Sequence, residues 1–195
     1  MPNHTGRLVL TTVDPFAEPD AALLAGALAE SGFIGAPIGS PLAEREGVYA
    51  VGPHFLDLLT FSGCAVSIAA APANTPTSAS GAAFCSVELS RLAPSPRLLC
   101  GRNTRPPRCP VCRERLADWR RLILAAPEPP PGVTCPRCGA SHPAWAWDWK
   151  EQGGFGRRFV LIEEVFPGEA VPTPRLFGVL SGAGGSGWRH FFVQD

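Results

Sequence analysis

Residues 7–13, with Leu8, Val9 and Leu10 in succession, read as a strand covered on both faces. A turn over 14–19 follows. Pro19 then suits a first helical position, and the Asp20 carboxylate suits the positive end of a helix. Leu24, Ala27, Leu28 and Ser31 make one helical stripe, with Leu23 beside it and Gly32 as the stop. Past a Gly/Pro-rich loop, residues 48–51 read as a short strand. Residues 53–61 read as a helix turning Phe55, Leu58, Leu59 and Leu56 inward. Residues 64–71 are apolar and 83–89 alternate, predicting a hairpin around a Pro/Ser/Thr/Ala loop with Glu88 facing solvent.

The end of the chain echoes its beginning. Residues 159–165 predict a strand and 167–172 a turn. Thr173 is a good N-cap with Pro174 as first helical residue, and Leu176, Phe177, Val179 and Leu180 form the packing face. A glycine-rich turn leads to a last strand over 188–193. Both ends are therefore expected in one sheet. The expected fold is α/β (α+β), with a small mixed or mostly antiparallel sheet and helices on one side. Residues 1–98 and 151–195 supply this body, and 99–150 are inserted between them.

The middle breaks the periodicity. Residues 91–108 carry four prolines and five arginines, predicting an extended linker. Residues 114–125 read as a helix with Leu116, Trp119, Leu122 or Ile123, and Ala126 inward, and Arg115, Arg120 and Arg121 outward. Trp145, Trp147 and Trp149 alternate, so on a strand they share one face. They either cover the seam between insert and body or offer a stacking surface to bases or to a partner segment.

The insert also holds two C-x-x-C pairs, Cys109 with Cys112 and Cys135 with Cys138. Each spacing lets two thiolates grip one ion from a tight turn, and four thiolates complete a tetrahedral Zn²⁺ shell. Redox dithiols of the thioredoxin kind normally occur once per chain, after a strand. Disulfides are the other rival. Seven cysteines, an odd number, point to a reducing compartment, taken here as the cytoplasm. His142 and Cys100 are further candidates for the metal shell, and Cys64 and Cys85 read as buried apolar groups. Through the runs CPVCR and CPRCG, residues 109–149 resemble the zinc-ribbon class. That resemblance implies a structural metal site on a module that contacts nucleic acid or protein. The chain departs from the class in its long interval between pairs and in Arg113, which stands where the second pair has Gly139.

Charge narrows the reading further. The overall balance is zero, but residues 1–90 hold two arginines against eight acids, whereas 91–121 hold nine arginines against two. Arg102, Arg105 and Arg108 are candidates for a phosphate track, with the tryptophans as stacking partners. The bland alternative is that the arginines dock the insert on the acidic body. No run approaches the ~18 apolar residues of a membrane span, and no signal-peptide pattern is evident. The glycines near residues 32–39 lack a phosphate-loop pattern, and no Ser-His-acid or H-E-x-x-H arrangement is present. Glu163 and Glu164 point to opposite strand faces, and a closed Cys₄ shell leaves no open position for catalysis. The expected function is a non-catalytic zinc-binding protein that contacts another protein. The alternatives are RNA or DNA binding through the Arg-rich segment, an enzyme with a site in the body, or a thiol-redox protein.

Overall fold

A computed structural model describes residues 6–38, 45–61, 85–126, 132–184 and 187–194. In chain order the first half contains β1 (Gly6–Thr12), α1 (Ala21–Glu30), β2 (Ile34–Pro37), β3 (Arg45–Val51), β4 (Leu59–Phe61), β5 (Ser86–Ser90) and β6 (Arg97–Cys100). The second half contains β7 (Val133–Thr134), β8 (Ser141–His142), β9 (Gly153–Gly156), β10 (Val160–Glu163), β11 (Ala170–Pro172), α2 (Pro174–Gly182) and β12 (Trp188–Gln194).

Six strands build the main sheet in the order β12-β1-β10-β5-β3-β2, every neighbouring pair antiparallel. The two chain ends thus meet in adjacent strands, as their sequence echo suggests. No described helix is long and apolar enough to cross a membrane.

Strand alternation gives the sheet two differently covered faces. Leu8, Leu10, Val87, Leu89, Val160, Ile162 and Phe192 pack with Leu24 and Leu28 of α1 and Leu176 and Leu180 of α2. Val9, Phe159, Leu161, Phe191 and Val193 form a second cluster on the opposite face, joined by Leu99 of β6. Both helices therefore lie on one side. The other side receives a two-stranded ribbon, β6 paired with β9, which brackets residues 101–152.

Glycine lets that ribbon lie so close. A Cβ on Gly154 would sit 2.7 Å from the Phe191 ring, and one on Gly156 would collide with Thr11 Oγ1. The ribbon's alternation sends Leu99 to the sheet, while Leu98, Cys100 and Phe155 pack into the insert.

Local expectations fare unevenly. Thr173 caps α2, accepting from Leu176 N at 3.3 Å, with Pro174 at the first position. In α1 the cap is Asp20, whose carboxylate accepts from Leu23 N at 2.9 Å, so Pro19 lies before the helix, not in it. The helix expected over 53–61 is one 3-10 turn, Leu56–Leu58, followed by β4. Pairing of β4 with β11 claims those backbone groups, leaving Leu56 exposed and making 170–172 strand rather than turn. Glu88, expected in solvent, is buried on the face of β5 opposite the helices. The strand expected at 64–71 lies outside the described residues.

Candidate metal centre

The two C-x-x-C pairs fold into matching turns. In the first, Arg113 N donates to Cys109 O and Cys109 N donates to Glu114 O, at 3.0 and 2.8 Å. In the second, Gly139 N donates to Cys135 O and Cys135 N to Ala140 O, at the same distances. Arg113 and Gly139 hold the equivalent left-handed position, with φ of 64° and 73°. A non-glycine residue pays for that conformation; Arg113 is held there by the flanking backbone bonds and by an ion pair, Arg113 Nη2 to Asp148 at 2.7 Å.

Each turn sits on a short antiparallel stem. β7 pairs with β8 behind the second, and Arg108 bridges Arg115 behind the first. Arg108 also bridges Asp148, so the returning chain adds a third extended segment. This stem explains why the helix expected over 114–125 is cut short. Residue 115 is held extended, and only Arg120–Leu124 winds, as a π-helical turn. Leu116, Trp119 and Ile123 are still buried, as their spacing indicates.

The geometry brings the four sulfurs together, all within 4.8 Å of one another. Cys109 Sγ lies 3.8 Å from Cys138 Sγ, and Cys112 Sγ lies 3.6 Å from Cys135 Sγ. Zn–S bonds of about 2.3 Å in a tetrahedron require S···S edges of about 3.8 Å. A disulfide would need about 2.05 Å, so the spacing fits a four-thiolate metal site and not bridges. Cys109 and Cys135 are buried, Cys112 is half-buried and Cys138 is exposed. Neither His142 nor Cys100 belongs to the cluster.

The electrostatics suit a cation. Backbone N–H groups of Cys138 and Arg137 turn towards Cys135 and hold its thiol down to about 7. Cys112 also receives an N–H, from Glu114, yet burial and the neighbouring sulfurs push it up to about 12. Four crowded sulfurs cannot all ionise unaided, and a divalent cation removes that conflict. Outside the cluster, Cys85 is 1% exposed, and its thiol is pushed up to about 12 by burial first and then by Glu163 and Glu164.

The tryptophans are not aligned on a strand. Ala144–Ala146 is a 3-10 turn, Trp147 and Trp149 are buried, and Trp145 is half-buried. Trp149 packs edge-on to Trp119 at 5.4 Å and to Phe155 of β9 at 5.8 Å, and its Nε1 donates to Ala144 O at 3.1 Å. Trp145 meets Phe16, from the loop after β1, at 5.0 Å. These rings lie between insert and body. Arg102 and Arg105 are exposed, without ion pairs among the described residues. With Lys150 they line an open cleft of about 650 Å³. Arg108 is engaged through its backbone in the stem.

Two features escaped the sequence reading. The Gly153-Gly154-Phe155-Gly156 run was visible, but the strand it must approach was not. Asn103 is the other: its side chain donates to Phe192 O and accepts from Gln194 N, both at 2.9 Å, clamping the linker to the edge of β12. No protein-family model matches the chain, and comparisons with curated proteins and with solved structures return no significant match.

Proposed function

We propose that the protein is a non-catalytic zinc protein in which Cys109, Cys112, Cys135 and Cys138 hold one structural Zn²⁺, and that the assembled module and body contact another protein. The tetrahedral spacing of the four sulfurs carries the metal reading. Four thiolates fill the zinc shell and leave no position for a substrate or an activated water. The ion organises two turns whose stems support the buried tryptophan seam, so its contribution is to folding. The contact role rests on the exposed arginines Arg102 and Arg105 and on half-buried Trp145 at the module's rim.

Metal content and free-thiol count on protein purified without added metal test the first part. One zinc per chain is expected, with Cys109→Ser losing the metal. Metal-free protein whose C-x-x-C pairs cycle between oxidised and reduced forms would make it a thiol-redox protein instead. Exposed Arg102 and Arg105 beside Lys150 favour a second reading, nucleic-acid binding. Oligonucleotide affinity that falls steeply with salt would establish it over protein contact.

A further inference from the structure

The edge of β12 is half filled, and the geometry points to strand addition on the open half. We infer that an extended segment of a partner protein, with an acidic residue beside an apolar one, pairs with Trp188–His190. This rests on, and sharpens, the protein-contact reading.

β12 pairs on one side with β1, residue Leu10 opposite His190 and Leu8 opposite Phe192. In an antiparallel ladder, alternate residues turn their N–H and C=O outward. Phe192 is one of these. Its N–H donates to Glu151 O at 2.9 Å, away from β1, and its C=O accepts from Asn103. Gln194 is another, its C=O accepting from Arg102 N at 2.9 Å. Gly187 confirms the parity from the other end, since its C=O accepts from Val13 N. Trp188 and His190 share the parity of Phe192, so their backbone groups also face outward. Among the described residues they have no partner. The chain's own linker and the 150–151 turn fill the edge from Phe192 onward and stop there. An open row of this kind is a template for another strand.

Space and chemistry agree with an added backbone. A cleft of about 430 Å³ runs along the open half, walled by Trp147, Trp149 and Lys150 on one side and by Phe177 on the other. A partner residue exchanging hydrogen bonds with His190 would share the face of His190 and Phe177, whose rings lie 6.2 Å apart, so an apolar side chain fits there. Its neighbours would fall on the face of Arg189. Arg189 has no ion pair among the described residues. One of its guanidinium nitrogens donates to Phe155 O, and its buried Nε has no partner. Buried Trp147 Nε1, Trp188 Nε1 and His190 Nε2 also lack partners and belong to residues lining the same cleft. Asp148 and Glu151 also line it, but Asp148 is paired with Arg113 and Lys150. The unsatisfied groups are nitrogens, which calls for acceptors: a backbone and a carboxylate.

The test uses the full-length zinc-loaded chain labelled with ¹⁵N, its zinc content measured on the same sample. Free Trp188 and His190 amides should exchange quickly with solvent, and Phe192 and Gln194 slowly. Three blocked peptides are then titrated: acetyl-Thr-Glu-Val-Glu-Thr-amide, its twin with lysines for the glutamates, and the acidic peptide N-methylated at valine. Saturable shifts centred on residues 188–190 with the first peptide, weakened at least severalfold with the other two, are expected. Protected amides in the free protein, no shift up to the solubility limit, or equal response to the N-methylated or lysine peptide would overturn the inference. So would shifts that depend on protein concentration alone, which would make a second copy the occupant. A sample without zinc would instead defeat the metal reading on which the contact role stands.

Discussion

Gly154 and Gly156 show how much one missing Cβ decides. Alanine at Gly156 would press on Thr11 Oγ1, whose hydroxyl donates to Arg158 O, so neither side can yield freely. Gly156→Ala should lower stability by about 1–3 kcal/mol, whereas Gly178→Ala, with open space and a helical site, should raise it by up to about 1 kcal/mol. Urea midpoints of the two variants check this contrast. At the candidate metal centre, Cys109→Ser removes one of the two buried thiols of the cluster. It should abolish stoichiometric zinc and cost several kcal/mol, since metal binding and module folding are one process; metal analysis and thermal melts read both. Cys85, held neutral by burial, should resist thiol reagents in the folded protein and react only after denaturation.

The elements are held by what they pack against more than by their own propensities. Trp149 joins the π-helical turn, through Trp119, to β9, through Phe155. Trp149→Ala should cost about 3–5 kcal/mol, more than Trp145→Ala at the half-buried rim, which denaturant titration would resolve. β12 also brings a pH dependence. Burial holds His190 below the ordinary histidine range, against a smaller opposite pull from Glu151. A folded pKa below the unfolded one means the unfolded chain takes the proton first. Stability should therefore be full above about pH 6.5 and fall as pH drops below it. Melts of the protein and of His190→Gln between pH 5 and 8 should show the slope reduced in the variant. Here the sequence was partly legible. The Thr173 cap was readable because capping is local, whereas α1 was read as starting at Pro19 although Asp20 is its cap. The expected helices at 53–61 and 114–125 failed because β11 and the Arg108 stem, distant in sequence, claim their backbones.

At the scale of the molecule, the chain leaves the sheet through β6 and returns through β9, so the metal module hangs on a ribbon that also covers one sheet face. Stripping zinc with a chelator should red-shift tryptophan emission as the seam loosens, while far-ultraviolet dichroism keeps the signal of the six-stranded sheet. Re-adding zinc should restore the emission. Within the body, Arg157 from its second half pairs with Glu18 from its first. Near the cysteine cluster, the ion pairs of Arg113 and Lys150 with Asp148 and of Arg137 with Glu114 stay within the module.

The sequence by itself determined what short-range spacing can encode. The ligand set is legible because C-x-x-C forces two sulfurs onto one turn whatever surrounds it. The terminal strands and both helices are legible because apolar patterning and helix-end signals act within a few residues. Strand order, the coverage of the second face, the burial of Glu88 and the half of the β12 edge left unpaired among the described residues were decided only by tertiary structure. Each depends on which distant backbone arrives first at a hydrogen-bonding edge, and no local pattern of apolar and polar residues carries that information.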